Sequence, residues 1–165
     1  MHAYAYTSII INGRIVSIDD IVKGIAASYT PFEQNTFAFI CQWMNGTDTF
    51  TINTSGSTGV PKSINFTRSQ MQASARMTLH ALRIEPHTTA LVCIDTAYIG
   101  GKMMLVRSLE GNLPIVAIDP SAILHHTLPG NIRFAALVPL QLQRLIDNNV
   151  LHYLQNATVI IGGAP

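Results

Sequence analysis

The segment from residue 54 to residue 62 constrains this chain more than any other part of the sequence. It runs Thr-Ser-Gly-Ser-Thr-Gly-Val-Pro-Lys, so nine residues supply four hydroxyls, two glycines and one cation. Glycine tolerates positive φ and lets backbone N–H groups approach a ligand closely. Successive N–H groups in a turn form a concave site for an anion. The segment therefore predicts a loop that holds a polyphosphate, with Lys62 as a point charge at its exit.

Two better-known phosphate loops do not fit this segment. The Walker loop needs Gly directly before Lys-Ser because a helix begins there, whereas Pro61 precedes Lys62 here. A P-loop phosphotransferase or ATPase is therefore disfavoured. The dinucleotide fingerprint needs G-x-G-x-x-G at the start of a helix, and the glycine spacing here differs. Strand patterns flank the loop at 49–53 and 63–67, which also argues against a flexible Ser/Gly linker.

Composition allows one domain with a sizeable core but is low in charge. The chain has 165 residues, of which 48% are hydrophobic and 12% are charged, against about 25% charged residues in ordinary soluble domains. No apolar run reaches the roughly 18 residues of a membrane helix, and the N-terminus lacks the features of a signal peptide. We therefore expect a cytoplasmic protein without a membrane span, whose apolar surfaces are covered by further protein or by homo-oligomer formation.

Charge and cysteine content exclude two further classes. The formal net charge of +1 gives no electrostatic basis for binding nucleic acid. Cys41 and Cys93 both follow apolar residues and lie far apart in the sequence. We expect both to be buried, reduced thiols of a cytosolic chain rather than a disulfide.

The order of predicted elements indicates an α/β fold with a largely parallel sheet flanked by helices. Residues 8–16 contain two β-branched runs joined by Asn12-Gly13, the dipeptide preferred in a type I′ hairpin turn. Helices are predicted over about 17–28, 31–45, 68–82, 101–110 and 139–148, with a short helical or irregular piece at 121–126, and strands over 49–53, 63–67, 90–94, 115–118, 134–138 and 158–161. Short apolar strands that alternate with helices indicate a parallel sheet buried on both faces.

The loop and three later segments together resemble the adenylate-forming superfamily of acyl-CoA synthetases, peptide-synthetase adenylation domains and luciferases. The family pattern Ser/Thr-Ser-Gly-Ser/Thr-Thr-Gly-x-Pro-Lys-Gly is matched at every fixed place except the last, where Ser63 replaces Gly. Residues 98–109, with Gly-Gly-Lys-Met-Met-Leu-Val-Arg, and residues 136–145, with Leu-Val-Pro-Leu-Gln-Leu-Gln-Arg-Leu, are most similar to o-succinylbenzoate–CoA ligases of menaquinone biosynthesis. Residues 160–165 match the Gly-Gly-Ala-Pro turn that lies against adenine in relatives.

The resemblance covers about residues 48–165 and implies a domain division. Residues 48–165 would form part of the large N-terminal domain of an adenylate-forming enzyme, an AMP-binding subdomain that is truncated in the adenine-binding turn. Residues 1–47 match no family motif and would be a hairpin and helices packed on that domain.

The resemblance also implies how the site is divided among these segments. The substrates would be ATP with Mg²⁺, a carboxylic acid such as o-succinylbenzoate, and CoA. Lys62 would be the catalytic cation, and no residue of the chain would bind a metal directly. The residues implied for the ATP phosphates are Thr54, Ser55, Gly56, Ser57, Thr58, Gly59 and Lys62; those for adenine are Gly162, Gly163, Ala164 and Pro165; those for the acyl substrate are Tyr98, Gly100 and Gly101.

The sequence departs from the family pattern in two places. Tyr98 stands where many relatives have a His near the acyl carboxylate, and a phenol can donate a hydrogen bond there but carries no charge near neutral pH. Relatives also continue beyond the position of Pro165 into a Tyr-Gly-x-Thr-Glu motif and a small domain with a catalytic Lys. We therefore expect an N-terminal ligase fragment that is inactive alone. The alternative is a non-catalytic nucleotide- or phosphate-binding module that self-associates.

Several other residues have both a structural and a functional interpretation. Arg107 is either a partner for the second carboxylate of a dicarboxylic substrate or an exposed helix arginine, and the latter is favoured. His80 is expected on the surface. Phe39 and Trp43 are expected in the core rather than in a ligand platform. The pair His125-His126 is not expected to bind a metal because neighbouring residues on a helix do not face one another.

Overall fold

The structure, a computed structural model, describes residues 6–54, 62–120 and 129–163. Its strands are β1 (Ser8–Ile11), β2 (Arg14–Ser17), β3 (Thr49–Thr54), β4 (Lys62–Thr67), β5 (Thr89–Val92), β6 (Ile115–Ala117), β7 (Ile132–Leu137) and β8 (Thr158–Ile161). Its helices are α1 (Ile18–Val22), α2 (Pro31–Met44), α3 (Arg68–Ala81), α4 (Ile99–Glu110) and α5 (Pro139–Asp147), and Leu151–Leu154 form a 3₁₀ turn.

Six of these strands form one sheet in the order β2-β1-β6-β5-β7-β8, while β3 and β4 form a separate pair. Within the six-stranded sheet only the β1–β2 pair is antiparallel, and the other four pairs are parallel. The carboxyl ends of β1, β6, β5, β7 and β8 therefore lie along one edge, which we call the carboxyl edge. The expected α/β class with a largely parallel sheet is confirmed.

Both faces of the central strands are buried. Along β5, Ala90 and Val92 belong to one core cluster, to which α1 to α4 contribute, whereas Leu91 and Cys93 belong to a second cluster with α5 and the 3₁₀ turn. Successive side chains of a strand point to opposite faces, so a wholly apolar strand needs cover on both sides. This explains why apolar and polar residues do not alternate along the central strands.

The N-terminal hairpin is part of this sheet. Asn12 has φ 47° and Gly13 has φ 79°, the positive values that a type I′ turn requires. β1 pairs with β6 in parallel, and α2 supplies buried aromatic residues to the same core cluster as α3 and α4. Residues 6–44 and the later elements therefore share one sheet and one core.

The β3–β4 hairpin presents the phosphate-loop segment. The two strands pair in antiparallel register from Thr49 opposite Thr67 to Thr54 opposite Lys62, so the segment joins paired strands as expected. Phe50 of β3 is buried and stacks on Trp43 of α2, with the two ring centroids 5.4 Å apart. This contact anchors the hairpin to the body of the fold. Residues 55–61 lie outside the described residues.

Three local expectations are corrected by the structure. α1 ends at Val22 rather than near residue 28, because Gly24 adopts φ +71° and leaves the helix. α4 begins at Ile99, two residues earlier than expected, because the extended residue Tyr98 is its N-cap. Cys41 is only half-buried, although Cys93 is fully buried, and neither forms a disulfide.

Other expectations are confirmed or lie outside the structure. Phe39 and Trp43 are core residues, and His80 is exposed. The 121–126 piece and the pair His125-His126 lie outside the described residues. None of the helices in the described ranges is long and apolar enough to cross a membrane.

Candidate functional site

The carboxyl edge of the sheet brings together three of the segments singled out by sequence. The residues after β5 lead into Tyr98 and α4, those after β7 lead into Pro139 and α5, and β8 leads into Gly162-Gly163. Because β5, β7 and β8 are parallel neighbours, these segments meet at one edge. In open α/β sheets, ligands bind outside the carboxyl ends of the strands.

Residues 95–98 form a tight turn between β5 and α4. The Asp95 side chain accepts a hydrogen bond from the Ala97 amide at 2.8 Å, and the Asp95 carbonyl accepts one from the Tyr98 amide at 3.1 Å. The Tyr98 side chain makes no capping hydrogen bond and is 48% exposed. A phenol is thus presented at the carboxyl edge, and its role toward an acyl group stays a prediction.

A polar cluster lies beneath this turn. The Lys102 ammonium donates to the carbonyls of Thr96 at 2.6 Å and Ala97 at 3.0 Å. The hydroxyls of Thr96 and Thr36 lie 2.9 Å apart, and both residues are fully buried. Burial lowers the pKa of Lys102, and the charge of Asp95 acts in the opposite direction. Sequence reasoning singled out neither Lys102 nor the threonines, because their pairing depends on α2 meeting the turn.

The two glycines at the start of α4 have different roles. A Cβ on Gly101 would lie 2.5 Å from the carbonyl oxygens of both Ile94 and Asp95, whereas a Cβ on Gly100 would lie 3.3 Å from Ile94 Cγ2. Real Cβ atoms do not approach backbone at 2.5 Å, so only glycine at position 101 lets the helix begin this close to β5. Gly100 and Gly101 therefore form a tight strand-to-helix turn. Participation of these glycines in an acyl pocket remains a prediction.

The Gly162-Gly163 turn continues the sheet at the end of β8. The Gly162 amide donates to the Leu137 carbonyl at 3.1 Å. Gly163 has φ +99°, and a Cβ there would lie 3.3 Å from Val138 Cγ1. The turn thus lies against the end of β7, and Gly163 has a backbone conformation that residues other than glycine rarely adopt. Ala164 and Pro165 lie outside the described residues, and adenine binding stays a prediction.

Gln141 joins the ends of two central strands and was not singled out by sequence. Its amide nitrogen donates to the Cys93 carbonyl at 2.5 Å, and its amide oxygen accepts from the Val138 amide at 3.0 Å. Gln141 is the third residue of α5 and is buried. Its position in the first turn of a Pro-started helix is the one sequence signal that could have indicated it, since Gln at this position often caps a helix.

The phosphate-loop residues are only partly described. Thr54 and Lys62 form the last backbone pair of the β3–β4 hairpin. Ser55, Gly56, Ser57, Thr58 and Gly59 lie outside the described residues. The contacts of this loop therefore remain predictions.

Arg107 is not the exposed helix arginine that the sequence favoured. It is half-buried, and within the described part of the chain its buried Nε has no hydrogen-bond partner. Its Nη1 lies 3.7 Å from the sulfur of Met104, one turn earlier on α4. Burial lowers the pKa of Arg107. A buried donor without a partner is costly, which makes this guanidinium a candidate anion-binding group.

Metal binding finds no support among residues 6–54, 62–120 and 129–163, which contain no cluster of three or more His, Cys, Asp or Glu side chains placed to hold an ion.

Comparisons with solved structures identify the fold. An acyl-CoA synthetase (AMP-forming)/AMP-acid ligase II-like protein from Dyadobacter fermentans is 39% identical over 87% of this chain and 42% of its own length, with a TM-score of 0.73. The o-succinylbenzoate coenzyme A synthetase of Bacillus subtilis, in complex with ATP and a magnesium ion, is 23% identical over 70% of this chain and 25% of its own, with a TM-score of 0.57.

A third structure covers more of the chain. Escherichia coli MenE with a bound analogue of OSB-AMS matches 96% of this chain and 52% of its own, with 18% identity and a TM-score of 0.67. The Bacillus and Escherichia likenesses show the fold alone. A scan of protein-family models finds no match, and a search of curated proteins finds none either.

The chain spans less than half of the length of the Dyadobacter protein that it matches. Its sheet and flanking helices correspond to the N-terminal domain of AMP-forming ligases. The phosphate-loop sequence, the turn before α4 and the Gly-Gly turn after β8 follow one another in the order of the family motifs. Motif order, fold and 39% identity agree, and the chain belongs to the adenylate-forming superfamily of AMP-forming acid ligases.

Proposed function

We propose that the protein containing this chain is an AMP-forming acid–CoA ligase. The observation that carries this proposal is the 39% identity over 87% of the chain to the acyl-CoA synthetase-like protein of Dyadobacter. The near-complete phosphate-loop motif at 54–62 supports it independently. The reaction would join a carboxylic acid to AMP and then transfer the acyl group to CoA.

Adenylation depends mainly on positioning and on neutralising charge. A carboxylate oxygen attacks the α-phosphate of ATP, and pyrophosphate leaves with Mg²⁺. The amides and hydroxyls of residues 54–59 would hold the β- and γ-phosphates, and Lys62 would neutralise developing charge. The turn at 162–165 would pack against adenine. Support for the nucleotide comes from the Bacillus relative, which was solved with ATP and a magnesium ion.

The acyl substrate would lie between Tyr98 and the first turns of α4. Gly100 and Arg107 are seven residues apart and so share one face of the helix, about 10 Å apart along its axis. Long side chains on helices lean toward the N-terminus, and the contact of Arg107 Nη1 with Met104 has that direction.

This arrangement favours a dicarboxylic acid as the substrate. One carboxylate would be activated near Tyr98, and the second would meet the unpartnered donor of Arg107. O-succinylbenzoate has this form, and the Bacillus relative is an o-succinylbenzoate coenzyme A synthetase. We therefore propose that acid as the substrate, in a cytoplasmic enzyme of menaquinone biosynthesis.

Nucleotide binding by this chain tests whether residues 54–62 form a phosphate site without the rest of the protein. Calorimetry with ATP, with and without Mg²⁺, would compare the wild type with Lys62→Ala, Gly59→Val and the control Lys23→Ala, which removes an exposed lysine. We expect saturable binding that both loop variants lose and the control retains. A folded wild-type chain that binds no ATP would contradict a phosphate site formed by these residues.

Substrate class needs a second measurement. Isothermal titration with the sulfamoyl analogue of o-succinylbenzoyl-adenylate would compare the wild type with Arg107→Met. We expect the variant to lose affinity for this analogue while its affinity for AMP is unchanged. An equal loss for both ligands would exclude Arg107 as the carboxylate partner.

Self-association is an additional proposal. Ile161 of β8 is 51% exposed, and Leu140 and Ile146 of α5 are also exposed. Among the strands of the described residues, β8 pairs with β7 alone. Apolar side chains beside an open sheet edge favour pairing with another chain. Sedimentation velocity over a range of concentrations would reveal the oligomer, and Ile161→Lys should shift it toward the monomer.

A further inference from the structure

Lys102 occupies a place where a cation is unfavourable on two counts. It lies in the first turn of α4, where the helix dipole repels positive charge. It is also half-buried, and burial lowers its pKa, although the Phe39 ring, whose centroid lies 5.8 Å from the ammonium, attracts a cation weakly. The charge of Asp95 acts in the opposite direction and raises its pKa. Some structural gain must offset this cost.

The gain lies in the backbone of the turn at residues 95–98. Within this turn every carbonyl has a hydrogen-bond donor: Asp95 accepts from the Tyr98 amide, Tyr98 accepts from the Lys102 amide, and the two carbonyls between them accept from the Lys102 ammonium. Without the ammonium, the Thr96 and Ala97 carbonyls would lose the donor that the structure gives them. A single side chain therefore supplies two of the four bonds.

The remaining contacts hold the turn from below but do not reach Tyr98. The Thr96 hydroxyl contacts Thr36 of α2, and Gly101 packs under the carbonyl of Asp95. The Tyr98 side chain itself has no capping hydrogen bond. Tyr98 is thus located by the two hydrogen bonds of its own backbone and by the backbone of residues 96 and 97, to which the Lys102 ammonium is bound.

We propose that Lys102 is a positioning residue of the acyl site, whose ammonium fixes the 95–98 turn so that Tyr98 is held at the carboxyl edge. The inference rests on the proposed function, in which Tyr98 borders the acyl group. A side chain that orients another through charge-assisted hydrogen bonds is a typical support of a binding site. Lys102 itself need not touch the substrate.

Hydrogen exchange tests whether the Lys102 ammonium holds the 95–98 turn, and it does so without reference to activity. The amides of Ala97, Tyr98 and Lys102 are all bonded within the turn. In Lys102→Met, which removes the charge and the donors at similar length, we expect these amides to exchange at least about tenfold faster. Lys102→Arg, which keeps a cationic donor, should retain part of the protection, and Lys23→Met should leave it unchanged. Wild-type protection in Lys102→Met would overturn the proposal.

Ligand binding then separates positioning from a purely structural role. Titrations with AMP and with the sulfamoyl analogue of o-succinylbenzoyl-adenylate would use the same variants. We expect Lys102→Met to bind the analogue about tenfold more weakly, a factor of ten being about 1.4 kcal/mol, and to bind AMP as the wild type does. If Lys102→Met lost affinity equally for both ligands, or for neither, the positioning role would be overturned even if the turn exchanged faster.

The two measurements also distinguish failure of the inference from failure of the proposed function. A wild-type chain that binds neither probe contradicts the proposed site and, with it, the positioning role of Lys102. Hydrogen exchange would still show whether the Lys102 ammonium holds the 95–98 turn. A wild type that binds the analogue, beside a Lys102→Met variant that binds it equally well, keeps the function and removes Lys102 from it.

Discussion

At the scale of single residues, the close approach of α4 to β5 depends on Gly101. A methyl group at this position would overlap two backbone carbonyls at 2.5 Å, and backbone cannot move aside as a flexible side chain can. We expect Gly101→Ala to lower the free energy of unfolding by about 1–3 kcal/mol, the range for overpacked sites. Urea denaturation measures this change.

The neighbouring glycine provides the control. A Cβ on Gly100 would meet only the Ile94 side chain, at 3.3 Å, and alanine is favoured over glycine in helices by about 0.5–1 kcal/mol. Gly100→Ala should therefore be neutral or slightly stabilising. If Gly101→Ala were as well tolerated as Gly100→Ala, the packing of α4 against the end of β5 would not be as close as described.

The two cysteines should differ sharply in reactivity. Burial raises the pKa of Cys93 to about 12, so this thiol is protonated at neutral pH, and thiols react as thiolates. Cys41 is half-buried. Alkylation with iodoacetamide at pH 8, followed by mass spectrometry, should modify Cys41 and spare Cys93 until the chain is unfolded by urea. Equal labelling of both in the folded chain would contradict this burial.

The sequence predicts which apolar residues form the core, but it does not predict which polar residues are buried. Phe39 and Trp43 were recognised as core because aromatic residues four apart on a helix share one face. For Arg107 the sequence favours an exposed position, which is wrong, and the hydrophobic pattern does not distinguish Gln141 from other polar residues. Both depend on what lies opposite them in the fold, which hydrophobic periodicity cannot reveal. Such groups are common at functional sites.

At the scale of elements, Glu33 joins the first hairpin to α2. It is only 2% exposed and accepts hydrogen bonds from Asn12 at 2.8 Å, from Arg14 at 2.9 Å and from the Tyr29 amide at 2.7 Å. Asn12 in turn accepts from the Asp119 amide, beyond the end of β6. We expect Glu33→Gln to cost about 1.5–3 kcal/mol at pH 7, the range for hydrogen bonds to a charged group, because it removes the buried charge that accepts these bonds.

The pH dependence of stability follows from the same carboxylate. Burial alone would raise the pKa of Glu33, but hydrogen bonds from the Tyr29 amide, Asn12 and Arg14 outweigh it and hold the pKa below its ordinary value of 4.5. The unfolded chain therefore binds this proton first as pH falls, so the stabilisation is present above pH 4.5 and is lost below it.

Urea midpoints measured between pH 3 and pH 7 test this sign. The wild type should lose stability below pH 4.5 more steeply than Glu33→Gln. Asp19→Asn serves as the control, since Asp19 forms an exposed ion pair with Lys23, and exposed pairs contribute little. If the urea midpoints of the wild type and Glu33→Gln fell equally with pH below 4.5, folding would not stabilise the ionised form of Glu33.

Element boundaries were predictable where the stop signal is local. α2 follows its sequence signals at both ends, since Thr30 caps it and Gly46 has φ +81° just past its end. α1 was predicted too long because its apolar spacing continues past Val22. Gly24, with φ of +71°, ends the helix before that spacing does.

At the scale of the whole molecule, the parallel sheet was predictable and its strand order was not. Apolar strands between helices indicate βαβ units from local pattern alone. The pairing of β1 with β6 joins residues more than 100 apart in sequence, with Ile10 opposite Val116. No periodicity in the sequence specifies such a neighbour. Residues 1–47 match no family motif, and the sequence alone does not indicate that β1 and β2 lie in the same sheet as the later strands.

This topology predicts that the chain unfolds in one cooperative transition. Trp43, the single tryptophan, is 1% exposed, stacks on Phe50 of β3 and lies 4.2 Å below the Arg68 guanidinium. Its fluorescence therefore reports the contact between the N-terminal region and the β3–β4 hairpin, whereas circular dichroism at 222 nm reports all helices. We expect both signals to change at the same urea midpoint, as in a two-state transition.

Removal of residues 1–47 is the stronger form of this test. Such a chain would expose the edge of β6 that β1 covers and the core surface that α2 covers, including that around Phe50. Open edges and apolar surface of this extent favour aggregation over folding. We therefore expect 48–165 to lack a cooperative transition, because β1 of the N-terminal region forms part of the same sheet. A folded, monomeric 48–165 would instead show that this segment is a domain by itself.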